Sequence, residues 1–175
     1  CTGLDLVKTE GEDKKVVRKA SDELRRARIL HAAFTAHCRL CSIAFVEVPS
    51  GSQNASAARS LGIAVGVLAS CPIPIIEVSP MEVKAVVVGR SKGTPNPTKA
   101  QMIAWAVKKW PQAPWRRERK SGRVVADNEH LADALATVMA GITTPAFQNL
   151  LALNHEISHS PSVRPAPKLR TVLRV

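Results

Sequence analysis

The sequence predicts an α/β fold in which a mixed sheet is flanked by helices. Three observations carry this. The run SIAFVEV (42–48) is almost continuously apolar, as a strand covered on both faces would be. A second short strand, PIPIIEV (72–78), follows after one helical stretch. Segments with a 3.6-residue apolar period lie before, between and after the two runs. At 175 residues, 45% of them hydrophobic, the chain is long and apolar enough for one domain with a sizeable core.

In chain order, residues 2–10 read as a short strand and GEDKK as a turn. Ser21 reads as an N-cap, with Asp22 and Glu23 in the first turn. The helix behind it places Leu24, Ala27, Leu30, Phe34 and Cys38 on one side and Arg25 and Arg28 on the other. After the strand at 42–48, the Ala/Gly-rich stretch 54–70 is spaced for a closely packing helix. SPME then supplies Ser79 as N-cap, Pro80 at the first helical position and Glu82 as capping-box partner, which predicts a helix over 80–88. Thr98 and Gln101 repeat that pattern for a helix ending near Trp110. Asp127 or Asn128 opens another helix, through Gly141, with Leu131, Leu135, Val138 and Ile142 as its stripe. Two basic loops, GRSKGTPNP and PQAPWRRERKSGR, separate these last elements. From Thr143 the pattern weakens, so residues 1–142 read as the folded domain and 143–175 as a basic, Pro-rich extension or tail.

The net charge is +11, which favours a polyanionic partner, most plausibly nucleic acid. Tyrosine is absent and only three Phe and three Trp are present, which argues against a surface that stacks many bases. Four scattered cysteines do not make a secreted disulfide framework, and no apolar run is long enough for a membrane span. A reducing cytoplasm is the expected compartment.

Chemistry concentrates at few positions. Glu47 is a lone carboxylate at the end of an apolar strand, costly to bury unless paired, protonated or bound to a metal; the alternative is a strand end facing water. In DNEHLAD, His130 and Asp133 share one helix flank, with Asp127 a turn earlier. Such a set can ligate a divalent cation or can be an ordinary solvated helix start. Lys84 and Lys99 flank the first basic loop, which also holds Arg90 and Lys92. The second loop clusters Arg116, Arg117, Arg119, Lys120 and Arg123, a density that suits phosphate contacts. Cys38-x-x-Cys41 has zinc-like spacing but no second ligand pair, so these read as core cysteines.

Taken in order, FVEVPSGSQNASAARSLGIAVGVLA, VSPMEVKAVVVGRSKGTPNPTKAQMIAWA and EHLADALA resemble the RuvC family of Holliday-junction resolvases, nearest its phage-type, RuvC-like branch. The resemblance spans residues 16–142. It implies an RNase H-like fold, a homodimer acting on four-way DNA junctions, and two Mg²⁺ ions per site. It implies further that Glu47, His130 and Asp133 are catalytic metal ligands and that Lys84 and Lys99 stand near the scissile phosphate. The family's opening strand, whose Asp contacts both metals in a D-P-type motif, has no counterpart here. Asp5 is the nearest candidate, and GLDLVKTEGEDKK corresponds better to the third strand and its loop. The expectation is therefore a sheet without its first strand or hairpin within this chain. No aromatic follows Glu47, so opening a junction by stacking there is not expected. Two alternatives stay open: a catalytically incomplete RuvC-like protein that binds nucleic acid, and an RNase H-like protein acting on RNA.

Overall fold

The structure, a computed structural model, describes residues 3–13, 15–48, 51, 54–89 and 95–159. It is α/β. In order come α1 (Lys19–Cys38), β1 (Ala44–Glu47), α2 (Ala55–Ala69), β2 (Ile75–Val78), α3 (Pro80–Val88), α4 (Lys99–Lys109), α5 (Asn128–Gly141) and α6 (Pro145–His159). The two strands pair in parallel, with Ala44 opposite Ile75 and Glu47 opposite Val78. The parallel sense follows from the α2 crossover between them. Among the described residues the sheet is this parallel pair, not the mixed sheet expected. The described residues hold no helix long and apolar enough to cross a membrane.

Local signals set α3 and α4. The Ser79 hydroxyl accepts from the Glu82 N–H at 3.2 Å while the Glu82 carboxylate accepts from the Ser79 N–H at 2.9 Å. Thr98 and Gln101 form the same reciprocal pair at 3.3 and 2.8 Å. Each box satisfies two amide groups that the helix start leaves without partners.

The core lies between β2, α3, α4 and α5. Val78, Val83, Met102 and Trp115 meet Leu131 and Leu135 there. On α5, Ala132, Ala136 and Ala140 recur every fourth residue and are all buried. Small side chains on that row let neighbouring elements approach closely. The approach is tightest at Gly141, which sits against the Phe45 ring of β1. Phe45 in turn meets Phe147 of α6 edge-on, with ring centroids 5.1 Å apart.

The outer layer departs from expectation. α1 begins at Lys19, two residues before Ser21, and its N-cap Arg18 makes no side-chain cap. Of the expected stripe only Cys38 is buried, and Leu24 is 54% exposed. A 20-residue helix is about 30 Å long while a four-residue strand spans about 13 Å, so strands of this length cannot cover α1 from end to end. α2 packs on α1 but buries none of its residues. Residues 4–10 form no ladder, although Leu4 and Leu6 lean on the core with strand-like alternation. Residues 145–159 are helical, where sequence pattern had read only an extension. The Thr144 hydroxyl accepts from the Phe147 N–H at 3.3 Å, capping a helix that opens on Pro145.

Asn128 joins α5 to the second basic loop. It is fully buried. Its side chain accepts from the Arg116 N–H at 2.9 Å and donates to the Arg116 and Val125 carbonyls, each at 2.8 Å. Asn128→Ala strands those three backbone groups, and urea denaturation should show a loss of about 2–3 kcal/mol. An unchanged midpoint would mean that water replaces the side chain.

Candidate functional site

Glu47 is the last residue of β1, and α3 starts two residues after its register partner Val78. The carboxyl ends of parallel strands are where α/β sheets usually gather a site. A cavity of about 140 Å³ opens there, lined by Glu47, Lys84, Lys99, Glu129 and Asp133 among the polar residues. Pro80, Pro97 and Glu129 on its wall bring the N-terminal ends of α3, α4 and α5 to the same place. Their dipoles add positive potential, which favours an anion beside the carboxylates.

The electrostatics are those of crowded carboxyls. Burial, then the nearby Asp133 charge, hold Glu47 above the ordinary carboxylate range, with Lys84 opposing. Burial and then Glu129 raise Asp133, opposed by His130, Lys99 and Lys84. The Lys99 ammonium lies 2.7 Å from the Glu129 carboxylate, and that contact raises the pKa of Lys99.

Four of the five candidates for catalysis, Glu47, Asp133, Lys84 and Lys99, therefore line one cavity. His130 does not line it. It is exposed on the flank of α5, where its charge still acts on both Asp133 and Asp127. Glu129, which sequence reading passed over, takes the place on the wall. Its signal was the i, i+4 spacing to Asp133, which stacks two acids on one helix face. Asp127 faces elsewhere, 2.6 Å from Lys8 and 3.6 Å from Arg116. Asp5 is not on the cavity wall either; it accepts from or pairs with His37 at 3.2 Å.

Arg116, Arg117, Arg119, Lys120 and Arg123 are all exposed. They belong to a short hairpin closed by the Arg117–Val124 bridge. Its turn uses Gly122 at φ 67, a left-handed conformation that favours glycine. Asn128 pins the base of this hairpin one residue before Glu129, so the basic surface is carried on the helix that bears the acids. Arg90 and Lys92 lie outside the described residues.

A larger cavity of about 400 Å³ runs along β1. It touches every residue from Ser42 to Glu47. Successive residues of a strand point to opposite faces, so a cavity touching all four residues of β1 follows the strand's edge. Phe34, His37 and Cys38 of α1 and Asp133, Ala134, Thr137 and Val138 of α5 form its walls. Glu47 and Asp133 lie at its polar end and face both cavities.

Among the described residues, no group of three or more His, Cys, Asp and Glu side chains forms a ready metal cage. Mg²⁺ does not need one: it is usually held by one or two carboxylates and keeps several waters. Two part-buried carboxyls, each held above the ordinary range by burial and a neighbouring acid, are a donor set that a divalent cation would relieve. Glu47 and Asp133 thus fit the ion.

No model of a known protein family matches the chain, and no curated protein sequence does so.

Proposed function

We propose that this chain is a metal-dependent endonuclease of RuvC type acting on four-way or branched DNA. The observation that carries the reading is the cavity at the strand ends, where Glu47 and Asp133 converge from β1 and α5 with Lys84 and Lys99. In this reading Glu47 and Asp133 hold Mg²⁺, with His130 turning in from the flank of α5. The bound metal supplies an activated water and stabilises the leaving oxygen of an in-line displacement.

The chain's own residues do the rest. Glu47 and Asp133 are held by a strand end and a buried helix, so their spacing is rigid. Lys84 and Lys99 offset the phosphate charge at the cavity mouth. Lys99 is parked on Glu129 and exchanges that partner for a phosphate oxygen as the backbone enters. The hairpin with Arg116, Arg117, Arg119, Lys120 and Arg123 grips the flanking backbone, without base specificity.

The edge cavity bears on the same reading. An RNase H-like sheet calls for another strand beside Glu47, carrying an Asp. An extended strand paired to the outer edge of β1 would bring its carboxylate to the Glu47–Asp133 end. The homodimer is also part of the proposal. Leu150, Leu153 and Ile157 of α6 are exposed at i, i+3, i+7 spacing, an apolar row suited to a second copy. Leu153→Glu should then shift the sedimentation of the protein from dimer to monomer; identical profiles would remove α6 from the interface.

A second reading has its own observation. Asp5 pairs with His37 and stays off the cavity wall, so it does not supply the strand-borne Asp that the RuvC reading calls for beside Glu47. A chain whose site lacks that Asp binds junctions through its basic surface without cutting them. Cleavage of a labelled four-way junction, linear duplex and structured RNA in Mg²⁺ separates the cases. Junction-selective nicking that disappears in Glu47→Gln supports the nuclease. Salt-sensitive binding with no nicking supports the binding protein, and selective cutting of RNA overturns both.

A further inference from the structure

A second chemical cluster lies away from the acids. Cys38 ends α1, and Cys71 follows α2 just before β2. Their sulfurs stand 3.6 Å apart, although 33 positions separate them in sequence. Cys38 is 4% exposed, and Cys71 is partly exposed. Cys38 and Cys41 both line the edge cavity along β1. Cys38, Cys41 and Cys71 are all reduced in this structure.

We propose that Cys38 and Cys71 are an oxidisable thiol pair which hydroperoxides convert to an internal disulfide. Cys71, the more exposed residue of the pair, reacts first. Its thiolate attacks one peroxide oxygen, the O–O bond breaks, and the other oxygen leaves as hydroxide and takes a proton to become water. Cys71 is now a sulfenic acid. The sulfur of Cys38 attacks that of Cys71, the S–S bond forms as the S–O bond breaks, and the hydroxyl leaves as water with the proton from Cys38. Two thiols and one hydroperoxide give one disulfide and, from hydrogen peroxide, two waters.

The order of events follows from the surroundings. Burial, and then the neighbouring Cys71 and Cys41 sulfurs, push the Cys38 thiol up to about 12. Cys38 is therefore a poor first nucleophile and acts as the resolving thiol, a role in which nearness to the sulfenic acid counts for more than acidity. The sulfurs need to close by only about 1.5 Å to reach bonding distance. Cys41 is the competing partner. It is three residues from Cys38 in sequence, and the Cys71 sulfur stands 3.6 Å from that of Cys38.

The crosslink has a structural consequence. It encloses residues 38–71, which include β1 with Glu47 and all of α2. It ties the α1–α2 layer, whose described residues bury little, into one covalent loop around the strand that bears the site.

The test uses the full chain. Protein is exposed to hydrogen peroxide, alkylated, digested without reduction and mapped by mass spectrometry. The expected product is a Cys38–Cys71 linked peptide. A loop of this length should raise the melting temperature by about 10 °C, reversibly with dithiothreitol. Cys71→Ser should lose both effects, and Cys41→Ser should keep them. A Cys38–Cys41 link, an intermolecular disulfide, or sulfinic acid at Cys71 without any link overturns the proposal. Mapping the unaltered protein keeps the question decidable if a variant folds poorly.

Discussion

If the chain is the proposed nuclease, Asp133→Asn is expected to abolish Mg²⁺-dependent junction cleavage, a loss on the order of 10³-fold or more, since the proposal makes Asp133 a ligand to the ion. The same substitution should make the metal-free protein more stable at neutral pH. Burial first, and then the charge of Glu129, hold the Asp133 carboxyl above its ordinary range. A group whose folded pKa exceeds its unfolded one contributes stability that is fully present below the unfolded pKa. That contribution is lost as pH rises through the folded value. Ionised Asp133 thus costs stability in the metal-free protein, and an uncharged amide in its place avoids that cost. Melting curves of the two proteins should converge below about pH 4 and separate above it, with the Asp133→Asn variant the more stable. Added Mg²⁺ should reverse the ranking by stabilising the parent protein alone. A variant that melts lower than its parent at every pH would show that Asp133 is a structural partner instead.

The second large effect is expected at Gly141. A Cβ there would lie 2.0 Å from Cδ1 and 2.6 Å from Cγ of Phe45. Phe147 meets the ring edge-on, so relief comes either from breaking that contact or from separation of β1 and α5. Overpacking of this kind costs about 2–3 kcal/mol, and the better helix propensity of Ala returns up to about 1 kcal/mol. Phe45 and Glu47 point to the same face of β1, one strand period apart. α5 passes β1 in the opposite sense, with Asp133 toward Glu47 and Gly141 against Phe45. Gly141→Ala should therefore weaken divalent-metal binding as well as stability, and Phe45→Leu should restore both in the double variant. Urea denaturation and metal titration on the same samples check this. Lost stability with unchanged metal affinity would uncouple the packing contact from the site.

What could be read from the sequence depended on the range of the signal. The capping boxes at Ser79 and Thr98 are complete within four residues, and α3 and α4 start where those boxes put them. The α5 stripe was legible for the same reason, since Leu131 and Leu135 lie on one helix face. The burial of α1 was not legible: periodicity shows which side of a helix is apolar, and only the tertiary structure shows how much of that side meets anything. Leu24 points outward because the two-stranded sheet is short. α6 had a Thr-Pro start of the same type as Ser79-Pro80, but its exposed leucines blur the apolar period and hide it. At the site, resemblance pointed to His130 and Asp133 by position. Whether residue 129 or residue 130 shares a wall with Asp133 depends on where α3 and α4 pack against α5, and the packing selects Glu129. The Cys38–Cys71 contact joins the ends of two helices across 33 positions and leaves no mark on local pattern.

The central claim is that Glu47 and Asp133 jointly hold a divalent cation. Calorimetric titration with Mn²⁺, a Mg²⁺ substitute of higher affinity, tests it without requiring cleavage. The unaltered protein should bind the ion, and Glu47→Gln and Asp133→Asn should each weaken binding by on the order of 100-fold, with the double variant no worse than the weaker single one, because both acids serve one ion. Equal affinity in all four proteins, or additive losses that assign the two carboxylates to separate ions, would contradict the account.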